Sequence, residues 1–339
     1  MPSGGAPYPD AVIARLRKPV SPDAYRRVTG AALVLLALIV VTGAAVRLTG
    51  SGLGCSDWPS CTDRHFVATT GFHADVEFYN RVITGLVSVV VGLGVLGSHR
   101  RSPRRRDLIW LSWGLVGGVA AQIFLGKFVV LSHLNPWLVQ GHFLVSMLLV
   151  LDAVVLFHRA GRPDGAGVRP TVTPALLAWG RALVAMAAVV IVTGTIVTGS
   201  GPHSGDNSDV YKIRRLPLRP HDAARIHGAM VMAFLAATIW VLVQLRRHQV
   251  DERLLRRAST LLTVLILQGA LGYTQYFTGV PPLLVGLHVF GATVLWAVTL
   301  QLLLAMTVPV VDGPPRPAQS SGGTDRTAHV SDGDLVPGR

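Results

Sequence analysis

Eight runs of almost unbroken apolar residues, each close to the length of a membrane-crossing helix, are separated by short polar segments. They cover roughly 28–47, 78–98, 108–131, 137–158, 178–199, 226–245, 256–277 and 283–307. About 20 residues of helix cross the hydrocarbon layer of a bilayer. Backbone amides find no water there, so each run predicts a helix rather than an open strand. The fold class is therefore all-α integral membrane, with eight transmembrane helices. Residues 1–27 are polar, basic and proline-containing, unlike a cleaved signal peptide, and are read as a cytoplasmic segment. Glycine, proline, serine and aspartate dominate from Asp312, which predicts a disordered cytoplasmic tail over 308–339.

A block of about twenty residues occurs twice, 146 positions apart. Gln122, Gly126, Pro136 and His142 recur with the same spacing as Gln268, Gly272, Pro282 and His288. Upstream, Val41-Thr42-Gly43 is matched by Val192-Thr193-Gly194, and Thr49-Gly50-Ser51-Gly52 by Thr198-Gly199-Ser200-Gly201. Four spans per copy is an even number, so both copies enter the membrane from one side. The prediction is two four-helix bundles related by a pseudo-twofold along the membrane normal, 28–158 and 178–307, joined by a cytoplasmic linker at 159–177. Stepping back 147 positions from His227 lands on Asn80. The second half thus offers His227 and His288 where the first offers Asn80 and His142, all near the outer ends of their spans.

Composition agrees with a membrane protein: half of the 339 residues are hydrophobic, 14% are charged and the mean hydropathy is +0.47. The net charge of +13 would suit a nucleic-acid partner, but its distribution argues against one. Arg15, Arg17, Lys18, Arg26 and Arg27 precede the first span. Arg100, Arg101 and Arg104 to Arg106 follow the second; Arg159, Arg162 and Arg169 follow the fourth; Arg246, Arg247, Arg253, Arg256 and Arg257 join spans six and seven. These are alternate loops, so the positive-inside rule predicts a multi-pass cell-membrane protein with both termini cytoplasmic. The outer 200–225 loop breaks the rule with Lys212, Arg214, Arg215, Arg219 and Arg225. It reads either as a basic lip for anionic groups such as haem propionates or as a solvated loop.

Imidazoles held at matching depth on different helices suit a haem iron, which takes ligands above and below its ring. Zinc would want three or four clustered donors, and no short His-x-x-x-His spacing exists. An interhelical hydrogen bond is the ordinary role of a single intramembrane histidine. The repeat favours ligation for the pair His227 and His288. Gly43, Gly126, Gly194, Gly228 and Gly272 would leave room for a flat macrocycle. His99, His158 and His248 fall in basic cytoplasmic segments, and His65, His73, His133, His203 and His221 on the outer side.

Cys55 and Cys61, the only cysteines, share the first outer loop, Gly50-Ser51-Gly52-Leu53-Gly54-Cys55-Ser56-Asp57-Trp58-Pro59-Ser60-Cys61. On an oxidising face such a pair can close a small loop, as a structural clip or as a redox couple. This loop, with Arg47-Leu48-Thr49 before it, resembles the signature loop of the haem A synthase family. Asn135-Pro136-Trp137 with His142, and Gln275-Tyr276 with Pro281, Leu287-His288 and Gly291-Ala292, resemble that family's later motifs. The likeness covers roughly 28–307.

The resemblance implies oxidation of the C8 methyl of haem O to a formyl group by successive hydroxylations, giving haem A for terminal oxidases. It implies a haem b held by His227 and His288, substrate haem in the amino-terminal pocket on His142, a Cys55–Cys61 disulfide, and Glu77 as catalytic carboxylate. Asn80, Arg81 and Arg225 are further pocket candidates. The implied partners are a farnesyltransferase-type haem O synthase as source of haem O, a membrane electron donor and the lipid bilayer, with a homo-oligomer left open. The family often carries Glu-x-x-His-Arg where this chain reads Glu77-Phe78-Tyr79-Asn80-Arg81, so the amino-terminal haem would rest on His142 alone or borrow an outer-loop histidine. Two rivals are a dihaem cytochrome b-type electron carrier, which would want two ligands in both halves, and a haem carrier or assembly chaperone, which needs no catalytic acid.

Overall fold

The computed structural model describes residues 19–55, 57–62, 65–67, 71–206 and 214–310. Among them are eight long apolar helices, each sufficient to cross a membrane: α1 Pro22–Leu48, α2 Phe72–Arg100, α3 Arg106–Leu131, α4 Pro136–Ala160, α5 Pro174–Ser200, α6 Pro220–Arg247, α7 Glu252–Phe277 and α8 Pro282–Ala305. The expected all-α multi-pass fold is present. A short antiparallel pair joins β1 Gly167–Pro170 to β2 Thr307–Val310.

The helices outrun the apolar runs because their ends are set by capping. Five of them, α1, α4, α5, α6 and α8, start on proline, whose fixed φ and missing N–H suit the first helical position. Ser21, Asn135, Thr173 and Asp251 cap α1, α4, α5 and α7 with side-chain oxygens.

Three boundaries therefore shift from the sequence expectation. Residues 22–27, assigned to the amino-terminal segment, already belong to α1, and Tyr25 is fully buried with its hydroxyl 2.8 Å from Ser112 Oγ. The linker, expected over 159–177, contains β1 and the start of α5. Residues 308–310, assigned to the tail, instead lie in β2, which pairs antiparallel with β1. The remaining tail, Arg15, Arg17, Lys18 and Lys212 lie outside the described residues.

Within each half, successive helices pack on each other and the first packs on the fourth, closing a ring: α1 to α4, and α5 to α8. Contacts between halves run α4 on α5, α1 on α8 and α4 on α8. Exchanging the halves maps this set onto itself. One apolar core lies inside the first ring, with Tyr25, Leu36, Val91, Leu115 and Leu156 among its residues. A larger one fills the second ring and reaches across to Val40, Met147, Val150 and Val154. Trp296 Nε1 donates to the Met147 carbonyl across that seam, and Gln140 to Thr195 Oγ1 at 2.7 Å. The outward surface is also apolar: Trp110, Val34, Leu283 and Phe277 are largely exposed, as expected where lipid tails are the solvent.

Candidate functional site: a histidine clamp and its altered copy

The turns before α4 and α8 reveal how the histidines are placed. His133 and Leu134 both have positive φ (51° and 59°), as do Gly279 and Val280 (79° and 61°), 146 positions on. Left-handed backbone at three non-glycine residues is costly and persists only where the surroundings enforce it. Leu134 is buried against Gly52 and Gly205 of the outer loops. Each turn delivers a proline to the first helical position, and the histidine follows six residues later, about 9 Å down the axis.

From α3 and α7, the two glutamines then repeat one contact. Gln122 Nε2 donates to the His142 carbonyl at 3.0 Å, and Gln268 Nε2 to the His288 carbonyl at 2.6 Å. Gly291 lies under Gln268, where any Cβ would collide with its Oε1. Gly126 and Gly272 make room for the rings: a Cβ there would stand 3.6 Å from His142 Cε1 and 3.1 Å from His288 Cε1.

In the second ring, His227 on α6 and His288 on α8 face each other diagonally, with ring centroids 6.4 Å apart and planes at 75°. Two imidazoles on opposite sides of one metal, each bonded at about 2 Å with its nitrogen about 1 Å from the ring centre, would have centroids about 6 Å apart. Thr193 Oγ1 donates to the Val190 carbonyl and lies 3.1 Å from His227 Nδ1. It can therefore accept the Nδ1 proton, leaving Nε2 free as a ligand. Nδ1 of His288, like that of His142, is buried without a hydrogen-bond partner. These orphaned ring nitrogens, with the facing pair at 6.4 Å, make a donor set that fits a haem iron.

In the first ring the same position is altered. Thr42, the counterpart of Thr193, donates from Oγ1 to Asn80 Oδ1 at 2.9 Å. Asn80 thus occupies the place of His227, engaged by the matching threonine. A Cβ at Gly194 would stand 3.1 Å from His227 Cε1, whereas one at Gly43 would meet nothing within 4 Å. The shorter amide leaves that space open.

Glu77, one helical turn before Asn80, is buried and holds the outer loop. Its Oε2 accepts from the Cys55 amide at 2.8 Å and its Oε1 pairs with Arg81 at 2.5 Å. Arg81 also donates to the carbonyls of Asp57, Pro59 and Ser60. Cys55 and Cys61 are joined as a disulfide and buried, and a Cβ at Gly54 would collide with the backbone at His73. Gly54 is thus what lets this loop lie close on α2. Sequence reasoning had placed Glu77 beside Asn80 without its tie to the cysteine loop.

The basic 200–225 segment is partly structural. Arg215 donates to the carbonyls of Gly201 and Pro202, while Arg47 on α1 reaches the carbonyls of Thr198 and His203. Gly52 N–H donates to the Gly205 carbonyl, and His203 contacts the Val280 carbonyl. The outer loops of both halves are therefore stitched over the ring ends, while Arg225 stays exposed. Sequence reading missed Thr42 and Thr193 as partners of positions 80 and 227, although both stand in the repeated Val-Thr-Gly. It also missed Asp152, whose Oδ1 is buried without a partner on α4; an acid inside an apolar span was the available signal.

Known proteins resemble this chain in sequence. The chain is similar to the heme A synthase of Staphylococcus saprophyticus, 27% identical over 301 residues that cover 83% of this chain and 95% of that protein. It is 22% identical to the heme A synthase of Bacillus mycoides over 286 residues, covering 82% and 91% of the two chains. The heme A synthase of Alkalihalophilus pseudofirmus is 24% identical over 223 residues, 63% of this chain and 75% of that one. The family model described as cytochrome oxidase assembly protein, COX15-CtaA, matches residues 26–203, more than half of the chain, including the cysteine loop and all but the first four residues of the altered ring. A duplicated ring of membrane helices with histidines at matched depth thus belongs to a protein of the COX15-CtaA family.

Proposed function

We propose that this protein is a haem-dependent oxidoreductase that converts haem O to haem A by oxidising the C8 methyl to a formyl group. The observation that carries the reading is the pair of unequal sites. One has two facing imidazoles 6.4 Å apart; the other has one imidazole, an amide and a buried carboxylate close by. An electron carrier wants two ligands in each half, and a chaperone needs no acid. The relatives' shared name, heme A synthase, supports the same choice.

In this reading His227 and His288 would hold a permanent haem b, which would supply electron transfer, and His142 would hold the substrate haem. Bound haem iron would supply the oxygen-activating chemistry, and two hydroxylations with loss of water give the aldehyde. Glu77 is held by Arg81 and the Cys55 amide, with neither donor able to rotate away without disturbing the loop. That carboxylate is the group suited to accept a proton or balance positive charge as the methyl carbon is oxidised. The Cys55–Cys61 loop and the segment held by Arg47 would cover the outer end. Arg225 and its basic neighbours would meet propionates. The two rings are related by a pseudo-twofold, and both termini face the cytoplasm of the cell membrane. A farnesyltransferase-type enzyme would supply haem O.

Co-expression with a haem O synthase in a host lacking haem A tests the reading. Extracted haems should include haem A and haem O beside haem b, and Glu77→Gln should abolish haem A while haem b stays bound. Haem b alone in the wild-type extract would overturn the proposal.

A further inference from the structure

We infer that the amino-terminal site binds haem through His142 as its single axial protein ligand, with Asn80 standing over the opposite face as a hydrogen-bond donor rather than a ligand. The inference deepens the proposed function and rests on its premise that both halves seat a haem. It gives the two sites different coordination: six-coordinate between His227 and His288, five-coordinate at His142.

Correspondence between the halves places Asn80 opposite His142. Each ring closes through the same neighbours, so α2 and α4 are diagonal as α6 and α8 are. Gln122 positions His142 as Gln268 positions His288. Thr42 engages Asn80 as Thr193 engages His227. With three of the four positions equivalent, the fourth side chain faces the same gap.

Chemistry then separates them. Thr193 spends its proton on the Val190 carbonyl at 3.0 Å and can accept from imidazole, which frees a basic nitrogen toward the gap. Thr42 makes a longer contact with its own Ile39 carbonyl, 3.3 Å, and its shorter one, 2.9 Å, is to Asn80 Oδ1. That bond turns Oδ1 toward Thr42, and the planar amide then points its NH2 group the other way. An amide nitrogen has two protons and no available lone pair, so it donates and does not coordinate. The amide is also shorter than imidazole, and the emptiness beside Gly43, against the tight contact at Gly194, gives a small iron ligand somewhere to sit.

The test uses the full-length protein, expressed with haem supply and purified in detergent. Ferric samples are read by electron paramagnetic resonance and cyanide titration, ferrous samples by carbon monoxide difference spectra. Wild type should show one low-spin haem that ignores carbon monoxide and one high-spin haem that binds it. His142→Ala should remove only the second. Asn80→His should convert the high-spin signal to a second low-spin signal with loss of carbon monoxide binding. Asn80→Ala should stay high-spin but bind cyanide about two- to tenfold more weakly, the worth of one hydrogen bond. Two low-spin haems in wild type, or an Asn80→His protein whose high-spin haem is unchanged, would overturn the inference. Finding only the low-spin haem, abolished by His288→Ala, would overturn it while leaving the carboxy-terminal clamp intact. Absence of any low-spin haem would overturn the proposed function itself.

Discussion

The clamp between α6 and α8 can be tested by crowding it without touching a ligand. Alanine at position 272 places a methyl carbon 3.1 Å from His288 Cε1. Ordinary carbon–carbon contact is about 3.5–4.0 Å, so the ring must yield by roughly half an ångström. Metal–ligand distances tolerate about 0.2 Å. The imidazole would then retreat toward the unfilled side of its ring or tilt off axis, and haem retention should fall about 10- to 100-fold, as when a group orienting a metal ligand is lost. The same substitution at Gly126 meets His142 at 3.6 Å, an ordinary contact, and should leave its haem in place. Glycine to alanine inside a helix favours the fold by about 0.5–1 kcal/mol, so both variants should unfold no earlier than wild type in detergent. The assay is the ratio of low-spin absorbance to protein after dialysis against a haem-scavenging apoprotein, with thermal unfolding alongside. A Gly272→Ala protein that keeps its low-spin haem as tightly as wild type would refute the assignment of His288 as a ligand in this geometry.

Three further perturbations probe the surrounding frame. Cys55→Ser opens the loop that Glu77 and Arg81 hold, and loss of so short a cross-link should lower stability by about 2 kcal/mol, read as a lower thermal midpoint; an unchanged midpoint would mean that Glu77 and Arg81 hold the loop without the cross-link. At the cytoplasmic end the Arg101 side chain is nearly fully buried and pairs with Asp164 at 2.8 Å. Asp164→Asn should cost about 2–3 kcal/mol, less than a wholly buried pair because Asp164 is partly exposed, and proteolysis near the linker will show whether that end loosens. Trp296→Phe removes the bond to the Met147 carbonyl across the seam between halves; a loss of about 1–3 kcal/mol is expected, because the carbonyl stays buried, and a neutral result would show that packing alone joins the rings.

The spans, the duplication and the matched histidines are written in the chain order itself. Membrane helices need only length and apolarity, and a repeat preserves spacing, so His142, His227 and His288 could be singled out without coordinates. Helix ends were misjudged by up to six residues because caps such as Ser21 and prolines such as Pro220, rather than hydropathy, set them. What the tertiary structure decided is which side chains meet. Thr42 and Asn80 are 38 residues apart, Glu77 and Cys55 22 apart, and Thr193 and His227 34 apart. Contacts between different helices depend on how rings of helices rotate to bury small residues against large ones, and no linear spacing encodes that rotation. The 6.4 Å approach of two imidazoles, 61 positions apart in the chain, is the consequence.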